Sequence, residues 1–154
     1  MKDIDDTDRR ILRALVNDGR LSNSELAKTV GLSPSPCWQR VKRLEDSGVI
    51  SGYTAMLNLE ALGVGETVMV EVSLHNHTTE ALEKFGQHMA NLPEVLEVYM
   101  MAGECDYYIK VATDGTRGFE KFLRKRMLSA AKLRHSKSNF SLRCLKRVVS
   151  FVPD

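Results

Sequence analysis

The 154-residue chain has no apolar run approaching the roughly 20 residues that a helix needs to span a bilayer. Its opening stretch, MKDIDDTDRRI, is acidic and charged, unlike a secretory or transit leader. Cysteine is scarce. Cys37, Cys105 and Cys144 are odd in number and far apart, which fits neither a dense disulfide framework nor a short-spaced zinc site. Reduced, buried thiols and a cytoplasmic location with no membrane partner are expected. Also missing are a phosphate-cradling glycine loop and a nucleophile–base–orienter set. The chain is therefore expected to be neither an enzyme nor dependent on a cofactor.

Charge is plentiful but unevenly spread. The net value of +2 says little about partners. Residues 1–60 carry nine basic and nine acidic side chains, residues 61–116 two and nine, and residues 117–147 eleven and one. Such segregation fits segments that meet across a subunit contact, or a basic face drawn to DNA backbone. A solvated basic helix and strand would look the same.

Ile4, Ile11, Leu12, Leu15 and Val16 recur at helical spacing behind Asp5, Thr7 and Asp8, acidic and polar residues that suit the positive end of a helix dipole. A helix from about residue 5 to Asn17 is predicted, stopped by Gly19. Ser22 and Glu25 have capping-box spacing, Leu26, Ala27 and Val30 supply an apolar side, and Gly31 ends the second helix. A turn of three residues, GLS, leads to a third helix beginning near Ser35 with Pro34 and Pro36 in its first turn. This is a helix-turn-helix pattern.

Cys37, Val41 and Leu44 fall at i, i+4 and i+7 and should clamp the third helix from behind. Ser33, Ser35, Trp38, Gln39, Arg40, Lys42 and Arg43 are then the DNA-binding candidates on its outward side. Arg40 and Arg43 are expected to reach guanine edges bidentately, and Gln39 suits adenine. Lys42, Ser33 and Ser35 suit phosphates. Trp38 is expected to pack under the following strand, the alternative being contact with a sugar or a thymine methyl. VISGYTAMLN reads as a short strand or wing, with Val49, Ile50 and Tyr53 packing back on the three helices, and Gly63 and Gly65 mark a change of domain.

From Thr67 the period becomes two. Val68, Val70, Val72 and Leu74 alternate with Met69, Glu71 and Ser73. Next come a helix with Leu82, Phe85 and Met89 on one side, strands in VLEVYMMA and CDYYIKVA joined at Gly103-Glu104, and a helix carrying Phe119, Phe122, Leu123 and Met127. A final strand is placed over about Asn139–Lys146, and RVVSFV is a candidate for another. The β-α-β-β-α-β order predicts a ferredoxin-like domain. The fold class is thus α+β. Residues 1–52 form the helix-turn-helix domain, 53–65 a linker strand, and 66–154 an effector-binding and oligomerisation domain. A bare sheet face carrying Met69 and Met100 would be an apolar liability, so at least a homodimer is expected.

LSPSPCWQRVKRLEDSGVISGYTAMLN, followed by a βαββαβ pattern with GECDYYIKV at its hairpin, closely resembles the Lrp/AsnC (leucine-responsive, feast/famine) regulators over nearly the entire chain. The resemblance implies a transcriptional regulator whose sheet domains dimerise, often assemble to octamers, and bind an amino acid or related small molecule between dimers. It assigns ligand binding to Gly103 and Asp106, with Glu104 between them, and to Ser136 and Ser138, where two threonines are common. The chain departs from the pattern in SAAKLRHSKS, where a Pro-Gly-Val stretch is usual, and in Trp38, where leucine is frequent. Double-stranded DNA carrying an imperfect palindrome is the expected partner, because a dimer sets two reader helices roughly 34 Å apart.

Two other readings are open. Sirohaem decarboxylases share this layout, and Arg134, His135, Lys137 and Tyr107 are the residues such an enzyme would use here. His75 and His77, two apart at a strand end, suit a metal sensor but lack an evident third ligand. Cys105 is oxidisable in principle, yet no cationic residue stands beside it to activate the thiol.

Overall fold

Asp5 and Ser22 each start a helix through a reciprocal capping box, with Asp8 and Glu25 reaching back to the cap amides. These caps open α1 (Asp6–Asn17) and α2 (Asn23–Val30) in the computed structural model, which describes residues 4–153. α2 ends on Gly31 at φ 73°, a left-handed conformation that glycine reaches without a Cβ penalty. The third helix, α3 (Pro34–Asp46), starts one residue earlier than the sequence suggested, with proline at its first position. Asn23 Nδ2 donates to the Pro34 carbonyl at 2.8 Å, tying the start of α2 to the start of α3. Ile11, Leu26, Ala27, Val30, Cys37 and Leu44 form the sealed core of this unit, and Val41, Val49 and Ile50 pack against it. The clamp predicted for α3 is present.

The expected strand after Gly48 does not form, because residues 51–65 have no strand to pair with. Tyr53 does not pack back as expected. It is about half exposed, and its hydroxyl donates to Glu45 Oε1 at 2.9 Å. Burial first, and then Glu45, push that phenol up to about 12.

The chain divides into Met1–Met56 together with Lys146–Asp154, and Leu57–Leu145. The expected 66–154 domain therefore loses its tail, which groups with the helical unit. There, Arg9 Nη1 donates to the Pro153 carbonyl at 3.4 Å.

The second unit contains β1 (Glu66–Leu74), α4 (Thr79–Ala90), β2 (Val95–Met100), β3 (Tyr107–Thr113) and α5 (Thr116–Phe122). α5 runs through a π-helical turn, Leu123–Met127, into α6 (Leu128–Ala130), and β4 (Leu133–Phe140) follows. The antiparallel sheet has the order β2-β3-β1-β4, as the ferredoxin-like reading required. Val68, Val70, Val72 and Leu74 on one side meet Phe85, Met89, Phe119, Phe122 and Met127 from the helices. Tyr107 crosses this core to donate its hydroxyl to the Leu82 carbonyl at 2.7 Å. Gly86 makes the crossing possible, since a Cβ there would sit 2.8 Å from the phenol oxygen.

Two expectations about this sheet fail. The last strand is Leu133–Phe140, not 139–146, and residues 141–153 form no strand. LRHSKSNF is polar because it is an edge strand, so its composition imitates a loop. Met100 does not lie on the bare face either. It pairs with core-facing Tyr107, whereas Met69, Tyr99 and Tyr108 share the bare face with Glu71, Glu97, Lys110 and Lys137. Ion pairs lace that face, Lys110–Glu97 at 2.7 Å and Lys137–Glu71 at 3.7 Å. It is less apolar than the alternation suggested.

Candidate nucleic-acid interface and ligand loop

α3 presents its outward residues in two groups. Ser35, Trp38, Gln39 and Lys42, at i, i+3, i+4 and i+7, are exposed along one stripe. Trp38, expected to pack under a following strand, is instead 57% exposed, since no strand forms there to cover it. Trp38, Gln39, Lys42, Arg43, Asp46 and Ser47 line an open hollow of about 540 Å³. Lys42 Nζ pairs with Asp46 Oδ1 at 2.7 Å, a solvated i,i+4 pair that is weak in water. Ser33 is the N-cap of α3, and its side chain makes no capping bond.

The second group turns toward α1. Arg40 Nη1 donates to Asp5 Oδ2 at 2.6 Å and to Asp8 Oδ1 at 2.9 Å, and Arg43 Nη2 donates to Asp8 Oδ2. Asp8 is fully buried, while the Arg40 and Arg43 side chains are 31% and 55% exposed. The expectation that both arginines face freely outward is thus corrected, because a sealed carboxylate must be paired and these guanidiniums are what pair it. Arg40 is committed twice over. Arg43 keeps part of its fork in solvent. Asp5 and Asp8 had been read from sequence as helix-start residues only. Their capping spacing was visible, but their contact with residues 32 to 35 positions later was not.

The Asp8 backbone amide and, next, the Arg40 guanidinium hold the Asp5 carboxyl down at about 2, against an ordinary value of 3.8. A lowered folded-state pKa contributes stability above pH 3.8 that is lost as pH falls toward 2. Asp5 is half exposed, so the effect is small. Thermal melts of the parent should therefore decline between about pH 4 and pH 2 more steeply than those of Asp5→Asn. Parallel curves would exclude Asp5 from acid sensitivity.

In the other unit, the loop from Met101 to Asp106 closes over one end of the sheet. Asp106 Oδ2 accepts from the Leu74 amide at 2.7 Å, its own amide donates to the Val72 carbonyl at 2.9 Å, and Ser73 Oγ donates to the Glu104 carbonyl at 3.3 Å. The other carboxylate oxygen, Oδ1, lies 3.5 Å from His77 Nδ1. Gly103 does not have a positive φ, and a Cβ there would meet nothing within 4 Å. Ser136 and Ser138 are exposed on β4 and pair with core-facing Val72 and Val70, which places them on the helix-covered side. Asp106 precedes core-facing Tyr107 and so starts from the opposite face. Asp106 and the two serines thus start from opposite faces of the sheet.

Tyr107 is only 2% exposed, with its hydroxyl spent on a carbonyl, so it is not the proton donor that the decarboxylase alternative needs. On β4, His135 and Lys137 share one face and Arg134 lies on the other, so the three do not converge. Among the described residues no group of three or more His, Cys, Asp or Glu side chains could hold a metal. Cys37 is buried, which pushes its thiol up and keeps it protonated, but Cys144 is exposed, contrary to the expectation of buried thiols. No helix among the described residues is long and apolar enough to cross a membrane.

A model of winged helix-turn-helix DNA-binding domains matches residues 4–51, and a model of the Lrp/AsnC ligand binding domain matches residues 67–150. The leucine-responsive regulatory protein of Escherichia coli strain K12 is 42% identical over 127 residues, 82% of this chain and 77% of that protein. A transcriptional regulator from Neisseria meningitidis, solved in complex with L-methionine, superposes with a TM-score of 0.91 at 35% identity, covering 97% of this chain and 96% of that one. A feast or famine regulatory protein from M. tuberculosis, also complexed with L-methionine, gives 0.87 at 33% identity, covering 98% and 100%. These relatives are regulators, and they lend no support to the decarboxylase alternative.

Proposed function

The chain belongs to the Lrp/AsnC family of DNA-binding transcriptional regulators, and from that premise we propose that it reads an imperfect palindromic operator through Ser35, Trp38, Gln39 and Lys42. The single observation that carries this reading is the division of α3. Cys37 and Leu44 are sealed behind, Arg40 and Arg43 are tied to Asp8, and one stripe is left facing outward. Gln39 recognises adenine through its paired donor and acceptor. Lys42, Ser33, Ser35 and the free part of Arg43 meet phosphates and set register. Arg40 holds the helix to α1.

Operator titrations by gel shift test this division. Gln39→Ala should cost about 1–3 kcal/mol and relax preference at one base pair, as loss of a bidentate contact does. Arg43→Ala should instead weaken binding by a similar factor on every sequence and leave base preference intact. Base-specific loss for Arg43→Ala would restore it as a reader and refute the division.

The proposal extends to a cytoplasmic homodimer, assembling further toward an octamer, and to an amino-acid effector such as L-methionine bound by Gly103, Glu104 and Asp106 with Ser136 and Ser138. Three features support this. Open space at Gly103 leaves its lack of a side chain unexplained within one chain, Asp106 has a carboxylate oxygen suited to an α-ammonium group, and the serines stand on the other face. A pocket using all of them needs a second copy. Ligand binding between copies would then act through unequal affinity for two assembly states, with coupling of about 1–3 kcal/mol typical. Such a regulator needs no cofactor and performs no chemistry on its ligand.

A further inference from the structure

We propose that Trp38 is a specificity-determining residue that packs its indole ring on the C5-methyl group of a thymine in each operator half-site. The proposal rests on the reading of α3 as the groove-bound helix. Trp38 is the single tryptophan of the chain and is 57% exposed, a large apolar ring left in solvent on a helix whose other exposed residues beyond the first-turn prolines are polar. It stands on the second turn of α3, between Ser35 at i−3 and Lys42 at i+4, in the N-terminal half of the helix that lies closest to base edges in this motif. Its own chain offers nothing to cover it, since residues 51–58 form no strand.

The chemistry narrows the target. Indole has one donor, no acceptor and a broad apolar face. In the major groove, hydrogen-bonding edges of guanine, cytosine and adenine would be desolvated against that face without replacement, at a cost. The thymine methyl is the apolar surface displayed there. The committed guanidinium of Arg40 strengthens the case, because it removes a guanine reader from the same stretch of helix. Gln39, the adjacent residue, suits adenine. Together the two side chains would read an A·T step.

The experiment uses full-length protein and an operator selected from random duplexes. Each thymine is replaced in turn by deoxyuridine, which removes the methyl and changes no hydrogen-bonding group. Burial of one methyl-sized group is worth roughly four-fold in affinity. The parent should lose about that much at one position per half-site, and Trp38→Ala should bind the two duplexes equally at that position. Emission from the lone indole should shift to shorter wavelength on operator binding. Trp38→Phe, which keeps an apolar ring, should retain most of the discrimination. Equal deoxyuridine penalties in parent and Trp38→Ala at every position, with operator binding intact, would overturn the proposal while leaving the reader helix standing. Failure to select any preferred duplex would overturn the reader helix itself and the proposal with it.

Discussion

Asp8→Ala is expected to destabilise the helical unit by about 2–3 kcal/mol and to lower operator affinity at least ten-fold. Asp8 is fully buried and accepts from Arg40, Arg43 and the Asp5 amide. Hydrogen bonds to charged groups contribute about 1.5–3 kcal/mol, and breaking a buried ion pair costs about 3–5 kcal/mol when the surviving charge is trapped. Here the guanidiniums are 31% and 55% exposed and can turn to water, which places the loss toward the lower figure. The affinity loss has a separate cause. Without its carboxylate anchor α3 keeps its rear clamp but loses the contact that fixes its rotation against α1, and phosphate and base contacts then fall out of register. Denaturation followed by amide exchange in the helical unit would measure the first effect, and gel shifts well below the denaturation midpoint the second. Asp8→Asn, which keeps the shape and loses the charge, should fall between parent and alanine. A stability change under about 0.5 kcal/mol in Asp8→Ala, set against typical surface substitutions, would show that the pairing is incidental.

Asp106→Asn should weaken amino-acid binding by about 30- to 150-fold while DNA binding without ligand stays near the parent value. A carboxylate facing an α-ammonium group makes a charge-assisted bond of about 2–3 kcal/mol, which corresponds to that factor. The choice of asparagine matters. Asp106 Oδ2 also satisfies the Leu74 amide at the end of β1, and an amide oxygen can take over that acceptance, whereas alanine would orphan the donor. Asp106→Ala should therefore lose ligand and also about 1–2 kcal/mol of stability in the sheet unit. Calorimetry with L-methionine and the other amino acids separates the two losses. Equal ligand affinity in parent and Asp106→Asn would remove Asp106 from the pocket and leave it as a turn residue.

Local chemistry was legible along most of the chain. Such signals span only a few residues, so the acidic front end at Asp5 and Asp8 announced the first helix, the Ser22–Glu25 capping box the second, and Gly31 where the second stops. Alternation over Val68–Leu74 gave both the strand and its buried face. The π-helical turn Leu123–Met127 was not foreseen, since its periodicity differs little from that of an ordinary helix over a single turn. β4 was misplaced for a different reason. An edge strand exposed along nearly its whole length has no hydrophobic alternation to reveal it.

What the linear order of residues determined by itself is the helix-turn-helix, the βαββαβ sequence of elements and the composition of the outward side of α3, because each depends on contacts within a few positions. What only tertiary packing decided is which residues of that side are tied down and which stay exposed. Asp8 is buried by the approach of α3, and the burial of its charge draws in Arg40 and Arg43 from more than thirty positions away, leaving Trp38, Gln39 and Lys42 on the exposed stripe. A pairing at that sequence separation has no local signal, since it is set by where two helices cross and not by what either one contains.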